Sequence, residues 1–345
     1  MWFIIIYFDS QSIYYTRRME TNMKVLGSGH YAPHTLVTND DLSKIVDTND
    51  EWISSRTGIS TRHISDGEGV SDLGSKAALL ALEDAGMNPS DIDMILLATM
   101  TPDSMLPNNA SVIQKNIGAA NATCFDINAA CSGFLFALNT ANAYLSSGMC
   151  RNILVIGAET LSKLVDWSDR STCVLFGDGA GAMVVTADNS KAYCSVSGSD
   201  GVKGQVLTGG ATLLKNMLIN NDCDDIKTDN YYMKMDGQEV FKFAVTKVPE
   251  CISEVLEKAS VSAEDIDMFL LHQANVRIIS SVAKRLGVSP EKLPVNLHNY
   301  GNTSAASIPI LFDELKKNGS LDDVHKIVLS GFGGGLTWGA SYMEI

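Results

Sequence analysis

The sequence lacks any apolar run long enough to cross a lipid bilayer. Residues 2–8 form an apolar run near the start, but a membrane-spanning helix needs roughly 20 such residues, and no cationic segment precedes this one. Proline is scarce, with 8 residues, while hydrophobic residues make up 45% of the chain, which is typical of a globular protein. We therefore expect a cytoplasmic protein with no signal peptide and no membrane partner.

The sequence also has few positively charged residues. The chain has 26 Lys and Arg residues against 40 Asp and Glu residues, a formal net charge of −14, which disfavours a nucleic-acid partner. Its cysteines form no CxxC pair and have no histidines at zinc-binding spacing. We expect neither a disulfide framework nor a metal site from the seven cysteines: Cys124, Cys131, Cys150, Cys173, Cys194, Cys223 and Cys251.

From Met23 onward, short apolar strands alternate with amphipathic helices, which indicates an α/β fold. The pattern predicts, in order, a helix at 71–85, a strand at 92–99, a helix at 109–117, a strand at 123–127, a helix at 133–147 and a strand at 152–157. Residues 1–22 do not fit this pattern, and we interpret them as an N-terminal extension.

An internal repeat organises the chain. Residues 91–97 recur at 265–271, and residues 152–157 match residues 326–331; both matches have an offset of 174 positions and fall on predicted strands. Two matches at one offset indicate two copies of one βαβ-rich unit. We predict two pseudo-symmetric halves packed against each other: residues 23–195 and residues 196–345.

Cys131 follows the predicted strand at 123–127 and comes just before the predicted helix at 133–147. At a helix N-terminus, unpaired N–H groups and the positive end of the macrodipole stabilise a thiolate, which is the nucleophilic form of cysteine. The position therefore suits a catalytic nucleophile. A buried core cysteine is the more common explanation for a single cysteine.

The repeat places two more polar residues near Cys131. His272 directly follows a buried strand, and the position 174 residues after Cys131 is Ala305, which lies close to Asn302 in the sequence. Because strand ends from two packed halves can meet, we predict that Cys131, His272 and Asn302 converge on one cleft. Taken alone, His272 would be a hydrogen-bonded core residue and Asn302 a helix cap.

The segment 331–339 is rich in glycine and follows a predicted strand. Tight turns that require a positive φ are one explanation. Phosphate binding is another, although the lysine of a P-loop and the spacing of a dinucleotide-binding loop are both absent. A third is an oxyanion hole, in which backbone N–H groups approach a reacting carbonyl. We assign a structural role to the similar segment 176–182.

Four motifs occur in order: NAACSGF at 128–134, LHQANVR at 271–277, NYGNTSAA at 299–306 and GFGGGLTWG at 331–339. Together they resemble the β-ketoacyl-acyl-carrier-protein synthase III family of the thiolase superfamily, and the resemblance covers about residues 23–345. It implies a thiolase-like fold, a layered α/β sandwich, in a homodimer. It also implies a condensing enzyme that initiates type II fatty-acid synthesis without a cofactor, because the CoA thioester is a substrate.

The resemblance implies a task for each polar residue of the cleft. Cys131 would take an acyl group from acyl-CoA, with acetyl-CoA as the expected primer, and release CoA. Malonyl-acyl-carrier protein would then bind, and His272 and Asn302 would hydrogen-bond its thioester oxygen while decarboxylation forms an enolate. The enolate would attack the acyl group on Cys131. The N–H groups of Cys131 and Gly334 would form the oxyanion hole.

The resemblance also implies how CoA and the acyl chain bind. Trp52 and Arg170 would sandwich the adenine. The phosphate and pantetheine path would be lined by Arg56 and Asn275, and the acyl pocket by Leu106 and Phe332, with Leu106 inserted by the other subunit of the dimer. Where other family members carry phenylalanine, this chain has the smaller Leu106, so its acyl pocket could accept a primer longer than acetyl.

The same residues allow three functions other than the initiation of fatty-acid synthesis. One is a starter-unit condensing enzyme of secondary metabolism that uses a longer or aromatic acyl-CoA. A papain-like hydrolase could use the same cysteine, histidine and asparagine set. A non-catalytic acyl-binding protein is the third.

Arg277, Lys284 and Arg285 lie on one face of a predicted helix whose opposite side is apolar. The chain is acidic overall, and so is an acyl-carrier protein, so the two can associate only through a local basic patch. We predict that these three residues dock the carrier protein. A solvated helix face is the alternative explanation.

Overall fold

The computed structural model describes residues 21–210 and 231–345, so most of the predicted N-terminal extension lies outside the described residues. The strands are β1 Thr21–Tyr31, β2 Thr35–Thr38, β3 Thr61–Ile64, β4 Met94–Ala98, β5 Thr123–Ile127, β6 Asn152–Glu159, β7 Gly179–Ser199, β8 Leu207–Thr208, β9 Lys234–Met235, β10 Met268–Leu271, β11 Lys326–Gly333 and β12 Thr337–Glu344. The helices are α1 Asn39–Leu42, α2 Asp50–Thr57, α3 Val70–Ala85, α4 Asn109–Ile117, α5 Gly133–Ser146, α6 Gly237–Ala259, α7 Val276–Leu286, α8 Leu297–Tyr300 and α9 Ser307–Lys317. Within these ranges, no helix is both long and apolar enough to cross a membrane.

The elements predicted for the first half are present with nearly the predicted ends. α4 and β5 match residue for residue, and α5 ends one residue earlier than predicted, at Ser146. α4 begins where the Asn108 side chain accepts a hydrogen bond from the Ser111 N–H, and it ends at Gly118, which has a φ of 80°. Local capping residues therefore fix the helix ends that the sequence pattern indicates.

One mixed sheet of eight strands runs through the described residues, in the order β10-β11-β12-β7-β6-β4-β5, with β1 also paired to β7. β4 pairs in parallel with β5 and β6, and β10 pairs in parallel with β11. β7 is 21 residues long; its first part pairs with β6 and its last part with β12. The predicted division between residues 195 and 196 falls inside β7, and it stays a prediction.

The repeat in the sequence is also a repeat in the structure. β4 and β10 begin 174 positions apart, as do β6 and β11, and as do α5 and α9. A 3₁₀ turn precedes each of these two helices, Ala130–Ser132 in the first half and Ser304–Ala306 in the second. Each turn begins with a positive φ, 47° at Ala130 and 49° at Ser304. Because a positive φ is uncommon for residues other than glycine, the shared conformation is a specific feature of both halves.

α5 and α9 form the central layer of the protein. Their apolar side chains share one core cluster with Leu96 and Val155 of the first half and with Leu270 and Leu329 of the second. The opposite faces of the strands are covered by α3 and α4 in the first half and by α6 and α7 in the second. β4 and β10 are thus covered on both faces, which explains their continuous apolar sequences. The architecture is the layered α/β sandwich of a thiolase-like fold.

Candidate active site

Cys131 lies in the turn between β5 and α5. Ala130 gives the turn its positive φ, and α5 begins two residues after Cys131, at Gly133. A Cβ added at Gly133 would lie 3.2 Å from the Cβ of Ala98, so the small residue lets the helix start close to β4. The sulfur-bearing side chain is therefore held at a helix start, as predicted, but the residue is only 8% exposed.

The environment of the Cys131 thiol opposes its ionisation. Burial raises the pKa of the thiol to about 12, a hydrogen bond with the Ser304 hydroxyl lowers it, and the charge of Glu159 raises it. Desolvation is the largest of these causes, so burial opposes the thiolate that we expected at a helix N-terminus. A thiol that stays protonated needs a proton acceptor when it reacts.

His272 directly follows β10, where its backbone N–H donates to the Ser330 carbonyl at 2.8 Å. The residue is 2% exposed, and burial lowers the pKa of the imidazole to about 3, so the ring is neutral. Nδ1 lies 2.7 Å from the Ser307 hydroxyl, which donates to the Ser304 carbonyl at 2.8 Å. Because the hydroxyl has one proton, it accepts from Nδ1 in this arrangement, and Nε2 is left with a lone pair. Nε2 carries a proton that it can donate into the cleft only when the Ser307 hydroxyl turns from the Ser304 carbonyl to Nδ1.

Asn302 is held by both its backbone and its side chain. Its N–H donates to the Leu175 carbonyl at 2.8 Å, and its own carbonyl accepts from the Gly177 N–H at 3.1 Å. The side-chain Oδ1 accepts from the Ser304 N–H at 2.9 Å. This leaves the Nδ2 group of the amide as the donor for a substrate oxygen. The side chain thus shapes a turn, as the alternative explanation holds, and still offers a free donor.

Two cavities meet at Cys131. The first, here called the tunnel, is lined by Cys131, His272 and Asn302 together with Asn275 and Phe332. The second, here called the inner cavity, also reaches Cys131 and has these apolar side chains: Met100, Leu161, Phe176, Leu207 and Met233. A surface cleft, here called the mouth, shares Met235 and Gly237 with the tunnel and also holds Trp52, Arg56 and Arg277. The structure therefore brings the three predicted polar residues together in the tunnel, which adjoins a second cavity lined in part by apolar side chains.

The residues predicted to sandwich an adenine are in contact with each other. The Arg170 Cζ lies 5.3 Å from the centroid of the Trp52 ring, and the Arg56 Cζ lies 4.6 Å from it. A planar base between Trp52 and Arg170 would need about 7 Å, because stacked atoms lie about 3.5 Å apart. Arg170 would therefore have to move to admit a base, and give up its 2.7 Å hydrogen bond to the Asp47 carbonyl.

Asn275 and Arg277 join α7 to α2. Asn275 caps α7 by accepting from the Arg277 N–H at 2.8 Å, and its Nδ2 donates to the Arg56 carbonyl at 3.0 Å. The Arg277 side chain donates to the Ser55 carbonyl, also at 3.0 Å. The basic side chains predicted for this helix are all exposed: Arg277, Lys284 and Arg285. The predicted basic patch is therefore on the surface, and its first member borders the mouth.

The two residues predicted for the acyl pocket lie outside the inner cavity of their own chain. Leu106 is 88% exposed, on the segment between β4 and α4. Phe332 lines the tunnel, where the centroid of its ring lies 5.5 Å from that of His272. On β11 its ring also lies near α6, with the centroid of the Phe243 ring 6.4 Å away, and its place in the acyl pocket stays a prediction.

The glycine-rich turn between β11 and β12 comes very close to Cys131. A Cβ added at Gly333 would lie 2.6 Å from the Cys131 nitrogen, which no side chain can tolerate without a shift. Gly333 therefore allows the turn to approach the nucleophile. Gly334 follows directly and lines the inner cavity together with Cys131. Gly335 has a φ of 132°, so the first explanation, a turn that requires a positive φ, is confirmed. The oxyanion-hole explanation stays a prediction.

Sequence reasoning missed Glu159, a fully buried carboxylate at the end of β6. Its Oε2 accepts from the Thr99 hydroxyl at 3.1 Å and from the Thr101 hydroxyl at 2.5 Å, and its Oε1 accepts from the Ser304 hydroxyl at 3.0 Å. Burial raises the pKa of Glu159 to about 7, against the effect of these hydrogen bonds. An acidic residue that closes a buried apolar strand is the signal that could have found it. Phe176 was also missed: it lines both cavities, although we assigned its segment a structural role.

A thiolase-like sandwich that presents a cysteine, a histidine and an asparagine to one tunnel defines a condensing enzyme of the thiolase superfamily. Known proteins are similar to this chain along most of its length. The family models described as 3-oxoacyl-[acyl-carrier-protein] synthase III and as its C-terminal part match residues 125–201 and 256–345. The β-ketoacyl-[acyl-carrier-protein] synthase III of Clostridium acetobutylicum is 50% identical over 324 residues, which cover 94% of this chain and 98% of that protein. The protein of the same name from Streptococcus mutans is 50% identical over 328 residues, which cover 94% of this chain and 100% of that protein.

Solved structures agree with these relatives. The 3-oxoacyl-[acyl-carrier-protein] synthase III of Aquifex aeolicus has a TM-score of 0.86 at 44% identity, covering 94% of this chain and 100% of that one. The priming β-ketosynthase of the R1128 polyketide pathway has a TM-score of 0.87 at 34% identity, covering 94% of this chain and 96% of that one. The chain belongs to the β-ketoacyl-[acyl-carrier-protein] synthase III family. It is therefore a condensing acyltransferase that initiates fatty-acid synthesis, which sets aside the hydrolase and non-catalytic alternatives.

Proposed function

We propose that Cys131 is the acyl acceptor of a two-step condensation and that acetyl-CoA is its primer. The observation that carries the proposal is the position of Cys131 at the meeting point of the tunnel and the inner cavity. A thioester whose pantetheine arm fills the tunnel would present its carbonyl carbon to the sulfur and its acyl group to the apolar inner cavity. Attack by the sulfur releases CoA and leaves an acyl-Cys131 intermediate.

In the second step, malonyl-acyl-carrier protein enters the same tunnel. Asn302 Nδ2 and His272 Nε2 donate to its thioester oxygen while carbon dioxide leaves, and so stabilise the enolate that forms. Donation by His272 requires the tautomer in which Ser307 donates to Nδ1. Because burial lowers the pKa of His272, the ring serves as a neutral donor. The enolate carbon then attacks the acyl group on Cys131.

The tetrahedral intermediates on Cys131 carry a negative oxygen in both steps. The backbone N–H groups of Cys131 and Gly334 are the proposed oxyanion hole, supported by the close approach of Gly333 to the Cys131 nitrogen. A substitution that moves this turn away from Cys131 would therefore affect both half-reactions.

CoA would bind with its adenine near Trp52 and Arg170, which open to admit it, and with its phosphates and pantetheine along Arg56 and Asn275. The protein would act as a cytoplasmic homodimer in which each subunit inserts Leu106 toward the other subunit's acyl cavity. The high exposure of Leu106 in the single chain supports this arrangement. The reaction uses the CoA thioester as a substrate and needs no cofactor.

The basic patch on α7 is the proposed dock for the acyl-carrier protein. Its exposed residues begin at the mouth with Arg277 and continue with Lys284 and Arg285. In a chain with a net charge of −14, a local positive surface beside the tunnel is what an acidic carrier requires.

One experiment tests both the nucleophile and the primer. The protein is incubated with a panel of acyl-CoAs of increasing length and its intact mass is measured, followed by addition of malonyl-acyl-carrier protein and mass analysis of the product. We expect an acetyl adduct and a four-carbon 3-ketoacyl product. Cys131→Ser should form no adduct under the same conditions, and a full adduct in that variant would falsify the assignment of the nucleophile.

The alternative to acetyl-CoA is the longer or aromatic primer of a starter-unit condensing enzyme, and one observation favours it: position 106 carries leucine. Preferential acylation by a long or aromatic acyl-CoA in the same panel would replace the acetyl proposal with this one.

A further inference from the structure

A buried chain of polar groups leads from Cys131 into the protein, away from the tunnel. The Ser304 side chain lines the inner cavity together with Cys131 and lowers the pKa of the Cys131 thiol, and the Ser304 hydroxyl donates to Glu159 Oε1 at 3.0 Å. Ser304 is 1% exposed and Glu159 is fully buried. The condensation proposed above assigns no role to either side chain, although a buried carboxylate beside a nucleophile is costly to maintain.

The hydrogen bonds of Glu159 leave one oxygen directed at Ser304. Oε2 accepts from the Thr99 and Thr101 hydroxyls, and the Met100 N–H lies 3.1 Å from Oε2 and 3.3 Å from Oε1. Because both threonine hydroxyls bond Oε2, Oε1 is the oxygen that can exchange a proton with Ser304. The carboxylate is therefore oriented for proton transfer and not merely buried.

Glu159 is a better proton acceptor than the other titratable groups nearby. His272 faces Cys131 from the tunnel, but burial lowers the pKa of its imidazole to about 3, whereas burial raises the pKa of Glu159 to about 7. Lys163 is the cation close to Glu159, and its ammonium donates to the carbonyl of Thr101 at 2.6 Å. As a cation, Lys163 has no lone pair to accept a proton.

We propose that Glu159 accepts the proton of Cys131 through the hydroxyl of Ser304 during acylation. The thiol proton moves to Ser304 Oγ, and the Ser304 proton moves to Glu159 Oε1. The Cys131 sulfur forms its bond to the acyl carbon, the bond between that carbon and the CoA sulfur breaks, and the CoA thiolate takes a proton from solvent. Glu159 does not touch the reacting atoms; it acts through Ser304.

The second half-reaction returns the proton. When the new carbon–carbon bond forms, the bond between the acyl carbon and the Cys131 sulfur breaks and the sulfur keeps the electron pair. The protonated Glu159 then donates to Ser304, and Ser304 donates to the sulfur. The net proton taken from solvent is the one on CoA, which balances the loss of the malonyl carboxylate as carbon dioxide.

The test is the pH dependence of acylation in a single turnover with acetyl-CoA, followed by intact mass. In the wild type the rate should rise with pH through a midpoint near 7, because the ionised form of Glu159 is the acceptor. Glu159→Gln should be about 10²-fold slower at pH 7, and its midpoint should move toward the ionisation of the thiol itself. A role of Glu159 through charge alone predicts the opposite, because removing a negative charge makes the thiol more acidic and the variant faster.

Ser304→Ala is the second variant, in case Glu159→Gln does not fold. Its backbone conformation is compatible with alanine, because Ala130 holds the same φ in the other half. Ser304→Ala should show the same loss of acylation rate and the same change in pH profile as Glu159→Gln. The variant that combines both substitutions should be no slower than either single variant.

Asp178→Asn is the matched control. Asp178 is another fully buried carboxylate, its pKa is also raised by burial, and it accepts from the Ser162 hydroxyl at 2.6 Å, but it lines neither cavity. Its pH profile should match the wild type. The inference rests on the proposed function, and the two fail differently: a wild type that forms no acyl adduct contradicts the function, whereas normal adduct formation with unchanged profiles in both relay variants contradicts the relay alone.

Discussion

The 3₁₀ turns before α5 and α9 have the same backbone conformation but carry different side chains. Asn128 Oδ1 accepts from the Ala130 N–H at 3.2 Å, and 174 positions later Asn302 Oδ1 accepts from the Ser304 N–H at 2.9 Å. Both turns then adopt a positive φ and lead into a helix. The two halves therefore build the same local structure from different residues.

The chemistry differs where the side chains differ. The first turn carries Cys131, whereas its counterpart in the second half is Ala305. The second turn carries Ser304 where the first has Ala130, and Ser304 connects to Glu159. One half thus supplies the nucleophile and the other supplies polar groups around it. The comparison teaches that the repeat determines geometry and that single substitutions within it determine the roles of the two turns.

The largest effect should come from the paired asparagines. Asn302→Ala should reduce malonyl decarboxylation by about 10² to 10³-fold, because it removes a donor to the enolate oxygen. Asn128→Ala removes the equivalent turn hydrogen bond in the other half and should keep decarboxylation close to that of the wild type. The measurement is carbon dioxide release from malonyl-acyl-carrier protein. Equal losses in the two variants would mean that the turn, and not the free amide donor, matters.

A smaller effect is expected from paired glycines. A Cβ at Gly157 would lie 2.3 Å from the Ala305 carbonyl oxygen, whereas a Cβ at Gly331, 174 positions later, would lie 3.6 Å from the equivalent Cys131 oxygen. Gly157→Ala should therefore lower the free energy of unfolding by about 2 to 3 kcal/mol, and Gly331→Ala by less than about 1 kcal/mol. Denaturant unfolding of both variants measures this. If Gly331→Ala lowered the free energy of unfolding more than Gly157→Ala does, the close approach of the carbonyl oxygen at Gly157 would not explain the difference between the halves.

The smallest effect concerns the first residues of the central helices, Gly133 and Ser307, which are also 174 positions apart. Ser307→Ala removes the hydroxyl that bonds His272 Nδ1, and should slow decarboxylation about 10-fold while acylation of Cys131 stays near the wild-type rate. Ser330→Ala is the control, because its buried hydroxyl bonds the Gly339 carbonyl instead of His272. Unchanged decarboxylation in Ser307→Ala would remove Ser307 from the proposed mechanism.

Much of the fold follows from local sequence signals. The apolar periodicity located α4, whose ends are capped in the structure by Asn108 and Gly118, and the repeated strand motifs located the equivalent elements of the two halves. The family motifs supplied the roles proposed for Cys131, His272 and Asn302. The predicted elements and the repeat are confirmed because strand and helix periodicity and the 174-residue offset can be read from short stretches of neighbouring residues, whereas the residue roles stay predictions.

Other features depend on residues that are distant in the sequence. Glu159 and Ser304 are 145 positions apart and meet only because the two halves pack face to face. The side-chain direction of Phe332 is set by packing against α6, and the contact between Trp52 and Arg170 is set by two separate loops. No local pattern reports such contacts, so the sequence alone could not place them.

The sequence by itself therefore determined the elements and their repetition and singled out Cys131 as the proposed nucleophile, because each depends on short-range backbone preferences or on contiguous motifs. The tertiary structure alone decided the surroundings of that cysteine. Burial raises the pKa of the Cys131 thiol, and the second half places Ser304 beside Cys131 in the inner cavity and within 3.0 Å of Glu159 of the first half. The physical reason is desolvation: the energy of an ionisable group depends on everything that excludes water from it, and that surrounding is assembled only in the folded chain.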